Sequence, residues 1–234
     1  MDNLARPEGM AEFGPSFVRF VAHEGSSNAV LPMLKYLDDS RETPALRSSV
    51  KNIRPALVAD IAHFMCIAHG RLPGVVDYAA TKIVDDEARS WFVKAINAFA
   101  LERGFLNRLT VAAGPITRQL GQDKVTALVT GQVKNFRMIA TSDRKGCAAG
   151  AAIAFALDWQ RTRPLLEACA LNLGINPDFA ELPESVESQI LAEKLATSDA
   201  ASRAMMFGAQ QLLGQQRGLW QVIGARHTEM INCT

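Results

Sequence analysis

The sequence predicts an all-α fold, an antiparallel bundle of about nine or ten helices, and three observations carry that expectation. Apolar residues recur at spacings of three and four along most of the chain, the period that lays one buried stripe on a helix. No β-branched alternation is bounded by Asn-Gly or Asp-Gly, so no hairpin is expected. Gly- and Pro-bearing breaks divide the helical stretches into segments joined by short connections, as neighbouring helices of a bundle require.

The elements follow in order. Residues 1–12 read as a loose tail and 13–234 as one helical domain. A first helix is expected over 15–24, and Ser27 or Asn28 caps a second over 29–37. Thr43-Pro44 supplies a cap and first-turn pair for a third. Pro55 opens a stronger helix to His69, stopped by Gly70-Arg71-Leu72-Pro73-Gly74, and a short one follows over 75–82. Asp85-Asp86-Glu87 sets acidic residues at the positive end of a long helix that Gly114-Pro115 ends. Another runs over 122–141. Ser142 or Asp143 caps the next, expected to stop at Trp159, and Thr162-Arg163-Pro164 opens a separate helix closed by Gly174. Pro183-Glu184-Ser185 starts a helix to Ala196, and Ser198 or Asp199 caps the last.

Composition narrows the function classes. Of 234 residues, 48% are hydrophobic and 21% charged, enough apolar matter for a sizeable core. The formal net charge of +1 creates no field to gather a polyanion, so nucleic acid is not an expected partner. Residues 1–8 lack a basic segment followed by an apolar stretch, so no signal peptide is expected. The longest run free of charged and strongly polar side chains, 146–157, is too short for the roughly 20 apolar residues of a membrane span. Cys66, Cys147, Cys169 and Cys233 are dispersed, and a cytoplasmic location with reduced thiols is expected.

Three segments could carry chemistry. On a helix, Leu57, Ile61, Phe64 and Ala68 form a core stripe, while Asp60, His63, Cys66 and His69 step round the other side at three-residue intervals. That second face lacks Lys, Glu and Arg, so it is expected to be shielded from water. Either it holds structural histidines and a small core thiol, or it lines a ligand site. The ends of the row lie too far round the helix to share one ion, so no metal is assigned. In the turn after it, Arg71 either pairs with Asp77 or meets an anionic ligand. Farther on, Gly146, Gly150 and Ala154 form a smooth stripe suited to close helix packing or to a planar ligand. Met205, Leu212 and Leu219 mark a core seam in the last helix, and Gln210, Gln211, Gln215 and Gln216 give it an uncharged polar face, solvated or part of a homodimer contact.

His69-Gly70-Arg71-x-Pro73-Gly74-x-x-Asp77-x-Ala79-Ala80, with Glu102-Arg103-x-Phe105-Leu106-x-Arg108-Leu109, Ala112-Ala113-Gly114-Pro115, Arg144-x-Gly146-Cys147-Ala148-x-Gly150-Ala151-Ala152 and Asp158-Trp159, resembles an uncharacterised alphaproteobacterial family of helical proteins. The resemblance covers about residues 55 to 160 and implies no activity. A looser likeness is to the heme-oxygenase-like helical fold, in which a proximal histidine and a glycine-bearing helix enclose a flat ligand. His63 or His69 and Gly146 with Gly150 would take those parts, although that family's histidine lies nearer the N-terminus.

Three function classes remain, and no cofactor is assigned. In order of expectation they are a helical protein acting through protein contacts as a homo-oligomer, a bundle binding a small apolar or planar ligand, and an enzyme using the His63, Cys66 and His69 face. No P-loop, dinucleotide fingerprint or nucleophile elbow occurs.

Overall fold

The computed structural model of the protein describes residues 12–37, 53–116, 122–178 and 180–232, and within them the chain forms nine helices and no strand. They are α1 (Phe13–Glu24), α2 (Ser27–Leu37), α3 (Ile53–His69), α4 (Val75–Ala80), α5 (Asp86–Ala113), α6 (Gln122–Ala140), α7 (Cys147–Asn172), α8 (Ser185–Leu195) and α9 (Asp199–Asn232). The result is an all-α multi-helix bundle. The helix expected from Thr43-Pro44 and the N-terminal tail up to residue 11 lie outside the described residues, as does Cys233.

The bundle is built round α7 and α9, the pair in most extensive contact. Small residues make this contact close. A Cβ on Gly150 would collide with the backbone of Met205, and one on Gly208 would collide with the backbone of Cys147. Each glycine is the notch that admits the other helix. The loss of helix propensity, about 1 kcal/mol per interior glycine, is set against packing along two helices of 26 and 34 residues.

Helix α7 differs from the expectation of a break near Thr162. It runs unbroken through Pro164. An interior proline removes one backbone hydrogen bond and disfavours a helix by about 3 kcal/mol. Here Trp159, Leu165 and Leu166, on both sides of the proline, are fully buried, and the Thr162 hydroxyl donates to the Trp159 carbonyl at 2.9 Å. Packing against its neighbours holds the helix where local preference would end it.

Buried polar contacts fix the outer helices. In the corner between α1 and α2, Ser26 donates its backbone N–H and its hydroxyl to the two oxygens of Asp158 on α7, each at 2.6 Å. Gly14, near the start of α1, donates its N–H to Glu193 on α8 at 2.6 Å, and a Cβ there would meet the Gln189 carbonyl oxygen at 2.6 Å. Helix α1 buries Phe17 and Val21, and α2 buries Val30, Met33 and Leu37, each set at helical spacing. No helix among the described residues is long and apolar enough to cross a membrane.

Candidate ligand-binding site

Helix α3 is buried on more than one side. Leu57, Ile61, Phe64 and Met65 are fully enclosed. The row Asp60, His63, Cys66 and His69 goes to four separate partners. Asp60 accepts a two-pronged bond from Arg226 on α9, from Nε at 2.8 Å and from the terminal nitrogen at 3.1 Å. Both side chains are nearly sealed from water, at 1% and 4% exposure. Burial pushes the Asp60 carboxyl above its ordinary value, and the guanidinium works against that rise. His63 donates from Nε2 to the Gly114 carbonyl at 2.7 Å, just past the end of α5. The Cys66 thiol donates to Asn107 Oδ1 at 3.3 Å. These three side chains tie α3 to its neighbours. No group of three or more His, Cys, Asp or Glu able to hold a metal ion occurs among the described residues.

His69 is different. It is the last residue of α3, and its Nε2 donates to the carboxamide oxygen of Gln216 on α9 at 2.9 Å. Its ring lies among Phe136, Phe155 and Trp159, with centroids 5.0, 5.1 and 5.4 Å away. Burial in these surroundings lowers its pKa to about 4, against the partial support of Gln216. The imidazole is therefore neutral at neutral pH.

His69 forms part of the wall of a cavity of about 250 Å³. The hollow lies where the turn 70–74 carries the chain from α3 into α4, and α5, α6 and α7 close the other sides. Its inner surface is aromatic and aliphatic, from Phe99, Leu106, Phe136, Phe155 and Trp159. Phe99 stacks on Phe155 with centroids 4.7 Å apart and 20° between planes, giving that wall a flat face. Four cations, Arg71, Arg103, Lys134 and Arg137, also line it, and Arg71, Lys134 and Arg137 are exposed. The one acidic lining residue among those described, Glu102, is 1% exposed and already engaged: it accepts the Trp159 indole N–H at 3.0 Å and pairs with Arg163.

The turn is fixed by a different ion pair from the first alternative the sequence offered. Asp77 does not take Arg71. It accepts the Gly74 N–H at 2.8 Å, capping α4, and pairs with Arg103 of α5 at 2.9 Å. Arg71 is left exposed at the cavity. Arg137 lies over the Tyr78 ring at 5.3 Å.

The glycine stripe is not part of this cavity. Gly150 is filled by α9, so no flat ligand fits against it, and the open glycine face that a heme-oxygenase-like arrangement needs is closed. Gly146, at φ +95°, starts α7 in a left-handed conformation and borders a second hollow of about 650 Å³, with Lys82, Ser142 and Lys145. Of the candidate residues Asp60, His63, Cys66, His69, Arg71, Gly146 and Gly150, His69 and Arg71 line this cavity, while Gly146 and Gly150 both pack against Met205 of α9.

Sequence reasoning missed Gln216, Glu102, Lys134 and Arg137. By sequence pattern, Gln216 shares a polar face with three other glutamines. It is fully buried, while Gln210 and Gln211 are exposed and Gln215 bonds to Gln132 and Asn135 of α6. Glu102 carried a readable signal: helical spacing sets it on the face of Ala98, Phe99, Phe105 and Leu106, where a lone carboxylate needs partners.

No curated protein and no solved structure matches the chain. One family model does, over residues 37–229, a span that includes every residue of the cavity. The chain belongs to the family of unknown function DUF6975.

Proposed function

We propose that the protein binds a small organic anion with a flat apolar body in the cavity beside His69. One observation carries this reading: an enclosed aromatic surface meets four cations at one cavity. Ligand pockets are largely apolar with a few placed polar groups. A structural core has no use for Arg71 and Lys134 at its mouth, and neither forms an ion pair with a described residue. The volume limits the occupant. Pockets for drug-sized molecules run from about 300 to 1,000 Å³, so about 250 Å³ suits one or two fused rings or a short acyl chain. The reading includes a cytoplasmic setting, in keeping with unpaired thiols at Cys66, Cys147 and Cys169.

Calorimetry with benzoate and its neutral isostere benzamide tests the proposal. Benzoate binding that weakens with added salt, with benzamide weaker by tenfold or more, supports it. Equal affinity for the two, or none for either, refutes it.

A second reading, self-association, rests on exposed apolar side chains. Val186 and Ile190, one turn apart on α8, are 60% and 51% exposed, and Val93 on α5 is 51% exposed. Residues four apart share one face of a helix. Light scattering across a hundredfold concentration range tests this: a constant monomer mass rules it out.

A further inference from the structure

We infer that the ligand carries a hydrogen-bond donor, a phenolic O–H or a ring N–H, which docks on Nδ1 of His69 at the inner end of the cavity. The inference rests on the proposed anion pocket and specifies the other end of its ligand.

The argument is one of proton count. A neutral imidazole holds one proton, and its two nitrogens then differ: one donates and the other accepts. The Gln216 carboxamide oxygen can only accept, so the proton sits on Nε2. Nδ1 is left with a lone pair. It has no partner among the described residues, and it is not among the polar atoms sealed without one inside the protein. His69 itself lines the cavity, which offers that lone pair room for a ligand's donor. The ring cannot readily take a second proton, because Phe136, Phe155 and Trp159 surround it and no carboxylate bonds to it. Each oxygen of Glu102 already accepts a donor, from Trp159 on one and from Arg163 on the other, whereas Nδ1 of His69 accepts none.

Gln216 is the positioning residue. It is fully buried, its amide nitrogen has no partner among the described residues, and its carboxamide oxygen accepts from His69. An orphaned buried donor is costly. The amide is kept where it sets the histidine's tautomer, at the expense of its own second bond. The cavity thus has two chemically distinct ends, a cationic mouth and a neutral acceptor at the back, joined by a flat apolar wall.

The experiment compares benzoate, 4-hydroxybenzoate and 4-methoxybenzoate on the full chain, together with the ¹⁵N shifts of His69 in the free protein. The hydroxyl compound should bind about tenfold more tightly than the methoxy compound, the usual scale of one buried hydrogen bond. His69→Phe should level the two, and Gln216→Met should shrink the difference and mix the tautomers. The ¹⁵N shifts of unligated protein should show a protonated Nε2 and a bare Nδ1, a readout that needs no variant to fold. Equal binding of hydroxyl and methoxy compounds, with benzoate still bound, overturns this inference and leaves the anion pocket standing. A protonated Nδ1 overturns it too. Failure of all three compounds to bind removes the pocket reading and this inference together.

Discussion

His69 on α3 and Gln216 on α9, 147 residues apart in the chain, share a buried hydrogen bond of 2.9 Å that fixes an imidazole lining the cavity. Two helices from opposite ends of the sequence thereby set the chemistry of a hollow whose remaining walls come from α4 to α7.

The buried ring makes stability depend on pH in a stated direction. The His69 pKa falls to about 4 in the folded protein, below its usual value near 6.5. The unfolded chain then binds the extra proton between those values, so this contribution is complete above about pH 6.5 and is lost as pH falls toward 4. Its full size is on the order of 3 kcal/mol. Urea titrations of the protein and of His69→Gln, compared from pH 7.5 to 4, should show the two stability curves converging as the pH drops. Parallel curves would mean that His69 titrates normally.

The buried pair of Asp60 and Arg226 should be hard to break on one side. Asp60→Ala strands a guanidinium in the interior, a change that costs about 3–5 kcal/mol. Replacing both partners with apolar residues, Asp60→Leu with Arg226→Met, should recover much of that loss. Denaturation midpoints of the single and double variants decide the matter, and a neutral Asp60→Ala would show the pair to be solvated.

The contact between α7 and α9 depends on its glycines. Gly150→Leu drives a side chain into the Met205 backbone, and overpacking typically destabilises by about 1–3 kcal/mol. Gly131→Ala, on α6 where an added Cβ meets nothing within 4 Å, is the control and should be neutral or slightly stabilising. Equal midpoints for Gly150→Leu and wild type would show that α7 and α9 are not closely packed.

Much of this architecture is written in local pattern. The spans of α3, α5, α6, α8 and α9 follow from caps, periodicity and the breaks at 70–74 and 114–115. Pro164 misleads because a local rule meets a helix buried along most of its length. The candidate site is legible only in part, for the same reason. Spacing sets His69 and Arg71 beside a constrained turn, but nothing within α3 separates His69, which reaches a cavity, from His63, which bonds to the Gly114 carbonyl. That difference is made by Phe136, Phe155, Trp159 and Gln216, which arrive from three other helices. By position in the chain Arg71 is a nearer cation for Asp77, yet Arg103, 26 residues beyond Asp77, takes it because α5 packs against α4.

The cationic mouth should act on affinity alone. Arg71→Glu and Lys134→Glu change exposed residues, so folding stability should move by no more than about 0.5 kcal/mol. Benzoate affinity should fall by roughly three- to tenfold in each, with a weaker salt dependence than in the wild type, as expected when a partly solvated charge is reversed. Calorimetry at two salt concentrations measures both effects.

The most direct test of the pocket uses the protein's own tryptophans. Trp159 lines the cavity and donates its indole N–H to Glu102, whereas Trp91 bonds to Ser188 and Trp220 is buried on α9 outside the cavity wall. In a ¹H–¹⁵N spectrum titrated with benzoate, the Trp159 indole signal should shift saturably while those of Trp91 and Trp220 stay in place. Benzamide at the same concentrations should leave all three nearly unmoved. Saturable benzoate binding that shifts Trp91 or Trp220 and spares Trp159, or no saturable shift at any indole, would contradict the assignment of this cavity as the binding site.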